Sequence, residues 1–165
     1  MFHPERIEPQ PGQESVWDYP RPPRLENSKK HLQIMFNGVT IVDTRRAKRV
    51  LETSHPPVYY IPPEDIKLDY LTASDRSSWC EWKGAAAYYH LQVGDRQVQN
   101  AAWYYPQPTP GFESLQDFVA FYPSLMDACY VDGEQVHAQA GDFYGGWITS
   151  DIVGPFKGGP GSNWW

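Results

Sequence analysis

Apolar and polar positions alternate over short stretches of this chain, and each stretch is interrupted before it grows long. Leu32-Gln33-Ile34-Met35-Phe36 runs into Asn37-Gly38, and Val39-Thr40-Ile41-Val42 follows. Asn-Gly takes the positive φ angles of a type I′ turn, so this segment predicts a β-hairpin. Val58-Tyr59-Tyr60-Ile61, framed by Pro56-Pro57 and Pro62-Pro63, reads as a short strand. Residues 85–93 and 98–105 predict a second hairpin across Gly94-Asp95-Arg96-Gln97. With Val93 opposite Val98, Tyr89 faces Ala102 and Leu91 faces Asn100 on one side. On the other side Tyr88 faces Trp103, Ala86 faces Tyr105 and His90 faces Ala101. A one-residue slip would exchange these faces. Residues 118–122 and 126–131 predict further strands, and Asp132-Gly133 a turn into residues 135–138. Only one segment has helical spacing. Ala47, Val50 and Leu51 behind Thr44 as N-cap predict a short helix over 45–52. Residues 64–71 read as a turn of helix and a connector, and residues 75–78 as a polar loop.

Proline and glycine set the larger organisation. Pro9, Pro11, Pro20, Pro22 and Pro23 exclude a long helix or a central strand from residues 1–30. Val16, Trp17 and Tyr19 are too apolar for a free tail, so 1–30 reads as an extended arm packed on the domain, with Trp17 as an anchor. Residues 31–140 then form an antiparallel β domain. Residues 141–165, rich in glycine and carrying Trp147, Trp164 and Trp165, read as a docked tail. The 165 residues suit a single domain at roughly 150 residues per domain, large enough to fold without a metal or disulfide.

Charge and cysteine content narrow the function classes. The net charge of -6 disfavours nucleic acid as a partner, because such binding rests on neutralising phosphates. No apolar run approaches the ~20 residues that span a bilayer, and the first residues lack a signal-peptide pattern. The expectation is a cytoplasmic protein without a membrane partner. Cys80 and Cys129 are expected as reduced thiols. There is no CxxC pair, and the five histidines lack metal-ligand spacing, so no metal or other cofactor is expected.

Several motifs carry candidate chemistry. Arg45, Arg46, Lys48 and Arg49 could hold an anion or simply form a solvated face. Gly154 to Gly161 has the glycines and lysine of a phosphate loop but not its spacing, and its prolines remove amide donors. Lys83 could activate Cys80 as a nucleophile, although a structural thiol is the plainer reading. Glu14, Asp18, Glu52 and Asp65 are candidates for ion pairs with Arg21, Arg24 or Arg45. Among 7 Trp, 11 Tyr and 7 Phe, the rings Trp82, Tyr88, Trp103 and Tyr105 stand out, because they flank small alanines on the second hairpin. Aromatic walls over a small-residue floor suit a planar or apolar ligand.

Five ordered segments carry a family resemblance. They are Glu14 to Pro23 (ESVWDYPRPP), Glu52 to Pro62 (ETSHPPVYYIP), Cys80 to Gly84 (CEWKG), Ala101 to Pro106 (AAWYYP) and Val119 to Tyr122 (VAFY). Over about residues 14–137 the chain resembles the DUF427 family of bacterial proteins, a family of unknown function that also carries a nucleotidyltransferase-like label. The tail from Tyr144 to Gly161 is similar to cyanobacterial members. The resemblance implies an all-β fold: a small antiparallel β-tent-like (Mss4-like) sandwich, here with one short helix and extended terminal segments. Many β-tents hold zinc through paired CxxC motifs. This chain lacks them, and it also lacks a recognisable methionine-sulfoxide reductase motif.

Three functional readings follow. The first is a small-molecule binding domain, with Trp82, Tyr88, Trp103 and Tyr105 as walls and Lys83, Arg21 and Arg45 engaging an anionic group. The second is a nucleotidyltransferase-like, metal-dependent enzyme, for which Glu52 and Asp65 are the best carboxylates. The third is a non-catalytic interaction module, in which arm and tail dock a protein partner or a second copy of the chain, giving a homo-oligomer.

Overall fold

A computed structural model describes residues 5–141, 144–159, 161, 162 and 165. Trp164, predicted to be part of the docked tail, lies outside the described residues. The strands, in chain order, are β1 (Glu14–Ser15), β2 (Arg24–Asn27), β3 (Leu32–Phe36), β4 (Val39–Thr44), β5 (Lys48–Leu51), β6 (Val58–Tyr60), β7 (Leu71–Cys80), β8 (Gly84–Val93), β9 (Arg96–Tyr104), β10 (Val119–Phe121), β11 (Ala128–Val131), β12 (Glu134–Gln135), β13 (His137–Ala138), β14 (Trp147–Ile148) and β15 (Ile152–Val153). They assemble into sheets of order β10-β9-β8-β7, β12-β11-β3-β4 and β2-β5-β6, with two-stranded pairs β1-β15 and β13-β14. The chain is mostly β, and among the described residues no helix reaches seven residues. None is therefore long and apolar enough to cross a membrane.

The first hairpin forms as its turn dictates. Asn37 and Gly38 take φ of 46° and 78°, and Phe36 pairs with Val39. The main core lies between this sheet and the β7–β10 sheet. Leu32, Ile34 and Phe36 meet Leu91, Ala101 and Phe121 there, all fully buried. The arm docks through β1, which pairs in parallel with β15, and through Val16 and Tyr19 packed on Leu51 and Ile152.

The expected helix over 45–52 is instead a bend followed by β5, the central strand between β2 and β6. Thr44 Oγ1 does accept a bond from Arg46 N, at 3.0 Å, but it closes a two-residue turn rather than capping a helix. An eight-residue helix is marginal without tertiary support, and pairing on two sides wins. The basic residues around it disperse: Arg46 pairs with Asp65, Arg49 with Glu14 and Glu26, and Lys48 lies over the Phe118 ring. Residues 75–78, expected as a loop, belong to β7, an edge strand whose solvated side tolerates their polarity.

The second hairpin departs from its predicted register and then returns to it. Val93 pairs with Arg96 across a two-residue turn, so Leu91 faces Val98 rather than Asn100. A bulge between Tyr89 and Leu91 absorbs the difference, and beyond it Tyr89 faces Ala102 and Tyr88 faces Trp103, as predicted. Asn100 sits in this bulge at φ 52° and donates its N–H to His90 Nδ1 at 3.0 Å. Its Oδ1 accepts the Ser74 hydroxyl at 2.5 Å, and Ser74 lies in the second irregularity, between Ala73 and Ser77 of β7. One asparagine thus joins the bulges of two strands through a third.

Valine at position 100 would lose the Ser74 bond and place a β-branched residue at positive φ. Asn100→Val is expected to destabilise the fold by about 2–3 kcal/mol, and Asn100→Gly by less, measured by urea unfolding.

Candidate functional site

Past the bulge, β8 and β9 turn one set of rings away from the main core. Tyr88, Trp103 and Tyr105 join Tyr60, Tyr122 and Leu115 in a second buried cluster with Ala86 and Ala120 between them. Trp103 lies 4.5 Å from Tyr122 between ring centroids and meets Tyr60 edge-on at 6.2 Å. Edge and offset contacts of this kind hold rings in place while leaving part of each face free. Those faces border a cavity of about 540 Å³.

The β7–β8 turn supplies the next wall. Gly84, at φ 106°, lets the chain reverse there. Thr109 clamps the turn from the proline-rich loop, its N–H donating to the Lys83 carbonyl at 3.1 Å and its hydroxyl to the Trp82 carbonyl at 2.5 Å. Trp82, Lys83 and Cys80 are thereby presented to the cavity. The Lys83 ammonium lies 5.8 Å from the Tyr105 ring centroid. Burial works against this ammonium, but the surroundings of Tyr60, Cys80 and Glu52 outweigh it and raise its pKa, so it is charged at neutral pH. Both cysteines are free; Cys129 is buried in the main core, where desolvation pushes its thiol up to about 12.

The loop after β5 and the C-terminal segment close the opposite side. His55 and Glu52 line the cavity with Gln139, Tyr144, Gly145 and Lys157. Gln139 is almost fully buried, and its amide joins the two segments. Nε2 donates to the Lys157 carbonyl at 2.7 Å and lies 3.3 Å from His55 Nδ1, while Oε1 accepts Gly146 N–H at 3.2 Å. An amide NH2 facing Nδ1 makes that nitrogen the acceptor. The imidazole proton then sits on Nε2, which lies 3.7 Å from Glu52 Oε2. Burial, together with the charges of Lys157, Arg21 and Lys83, depresses the His55 pKa to about 4 despite Glu52.

Five sequence-predicted residues, Trp82, Lys83, Tyr88, Trp103 and Tyr105, border this cavity. Arg21 does not. Its guanidinium bonds Glu52 Oε2 at 3.2 Å and the carbonyls of Thr53 and Trp165 at 3.0 and 3.3 Å, bracing the rim from behind. Arg45 is exposed in the β4–β5 connection and is not part of the lining. The two carboxylates considered for a metal are each taken up by an arginine, Glu52 by Arg21 and Asp65 by Arg46, and Asp65 is outside the lining. Among the described residues no three His, Cys, Asp or Glu side chains gather to hold a metal ion. Sequence reasoning missed His55, Gln139, Tyr144 and Lys157 as wall residues. A wider groove of about 770 Å³ runs along the far side of Trp82, between Pro22, Lys48 and Phe112, but fewer rings and ionisable groups converge on it.

Two expectations test this geometry. His55 should stay neutral down to about pH 4 in a histidine NMR titration, with the proton on Nε2. Its pKa lies below the ordinary imidazole value of 6.5, so between the two values the unfolded chain takes up a proton that the folded imidazole refuses. Folding stability therefore falls as pH drops through that window, and His55→Gln should flatten the fall. Gly145 packs so tightly that an added Cβ would come 2.3 Å from Trp103 Cη2. Trp103 is held by Tyr60 and Tyr122, so Gly145→Ala should lift the tail from the ring and cost about 1–3 kcal/mol, with a change in tryptophan emission.

No curated protein matches this chain. A family model, described as a domain of unknown function (DUF427), matches residues 24–132. That span contains β2 to β11 and the cavity residues Glu52, His55, Lys83 and Trp103, whereas Gln139, Tyr144, Gly145 and Lys157 lie beyond it. Because the match covers well over half of the 165 residues, the chain belongs to the DUF427 family.

Proposed function

We propose that this protein binds a small molecule in the cavity bordered by Trp82, Tyr88, Trp103 and Tyr105. The observation that carries the reading is the convergence of rings and ionisable groups on one concavity of about 540 Å³. Small-molecule sites fall in the range of roughly 300–1,000 Å³ and are mostly apolar, with a few placed polar groups. Here the apolar part is the ring set, and the polar part is Lys83, Lys157, His55 and the Ser78 hydroxyl, which lies 2.9 Å from the Tyr88 hydroxyl.

Protein-observed NMR with a library of flat aromatic fragments tests the proposal. Binding should shift the amides of Ser78 to Lys83 and of Trp103 to Tyr105, together with the Trp82 and Trp103 indole N–H signals. Shifts confined to the groove around Pro22 and Phe112, or no saturable shifts across the library, would overturn it.

A further inference from the structure

We infer that the ligand of this cavity is a flat aromatic monoanion, a ring bearing a single carboxylate, with Lys83 as its counter-ion; the inference rests on the binding reading above. The argument is one of charge matching inside the cavity. Its ionisable groups are Glu52, His55, Glu81, Lys83 and Lys157. Glu52 is matched by Arg21 at 3.2 Å, and His55 is neutral. The Lys157 ammonium reaches the Trp165 carbonyl at 3.4 Å. Glu81 is exposed at the rim, facing the neighbouring groove as well.

Lys83 is left over. Among the described residues no carboxylate lies within 4.0 Å of its ammonium, and no hydrogen bond joins that ammonium to a carbonyl. Its company is the face of Tyr105 and the thiol of Cys80. An ammonium that keeps its charge with no anion hydrogen-bonded to it is open to one, and a ligand carboxylate would add a charge-assisted bond there. Lys157 has a carbonyl against its ammonium, whereas Lys83 has neither a carboxylate nor a carbonyl, so Lys83 is the group that one ligand carboxylate would engage. The exposed Glu81 carboxylate on the rim would repel a second negative charge, which argues against a phosphate monoester dianion. The body of the ligand follows from the walls: Trp82, Tyr88, Trp103 and Tyr105 offer faces and edges suited to a planar ring.

Matched pairs of fragments separate charge from shape. Benzoate and benzamide, and indole-3-acetate and indole-3-acetamide, have nearly the same outline, and phenyl phosphate supplies the dianion. Each is titrated by NMR at pH 7 into the wild type, Lys83→Met and Lys83→Arg, with thermal unfolding confirming that each variant is folded. Carboxylates should bind at least about tenfold tighter than their amides, the return expected of a charge-assisted bond. Lys83→Met should abolish that preference while amide binding persists, and Lys83→Arg should retain it. Equal binding of acids and amides, or a preference that survives Lys83→Met, would overturn the monoanion while leaving the binding site in place. Tighter binding of phenyl phosphate than of benzoate would also overturn it. Failure of acids and amides alike to bind at the cavity would remove the binding reading itself.

Discussion

The register of three strands meets at one asparagine. In a β-sheet the side-chain period is two, so an insertion of two residues shifts the pairing while leaving each side chain on its face. Asn100 lies in that insertion on β9, and its bonds to His90 and Ser74 tie it to β8 and β7 at the same level. On the turn side of the insertion, Leu91 and Val93 point into the main core. On the far side, Tyr88 and Trp103 point to the second cluster while Tyr89 and Ala102 stay with the first. A sheet with both faces covered can therefore serve a core and a cavity together.

This arrangement explains why part of the architecture was legible in the chain. Asn37-Gly38 needs no partner to choose its turn, because the positive φ angles are local. The Tyr88–Trp103 pairing was predicted through an incorrect turn length, and the error cancelled because the bulge restores the two residues that the tighter turn removes. Nothing local announces such a bulge. The helix expected over 45–52 failed for the opposite reason. Its apolar spacing is real, but Val50 and Leu51 belong to a strand hydrogen-bonded on both sides, to Leu25 and Val58 among others. Ladder bonds to distant segments outweigh a propensity worth a few tenths of a kcal/mol per residue.

The site shows the same divide. Trp82 and Lys83 were visible because they share a short turn, and Tyr88, Trp103 and Tyr105 because hairpin geometry links them. Arg21 and Arg45 were grouped with them on charge alone. Arg21 instead spends its charge on Glu52, and Arg45 faces solvent. His55, Gln139 and Lys157 meet only through tertiary contact across roughly a hundred residues of chain, and no spacing rule could collect them. Gln139 was the least visible: a lone polar residue whose meaning lies entirely in its three partners.

Two parts of the chain divide the work of the cavity. The family span contributes the unmatched Lys83, the Thr109 clamp that holds its turn, and the rings beneath it. On the proposed reading these groups would set the charge and flatness of the ligand. The C-terminal segment, beyond the family match, contributes Tyr144, Gly145 and Lys157, and Gln139 anchors it. On the same reading these groups would limit how far a ligand extends past the ring. Gly145 against Trp103 illustrates the consequence: the segment approaches the indole as closely as a backbone can, so the ring's free face is limited by residues outside the family span. On the proposed reading, family members that differ in this segment would keep a preference for the same charged head group. They would differ in the size of ligand they admit.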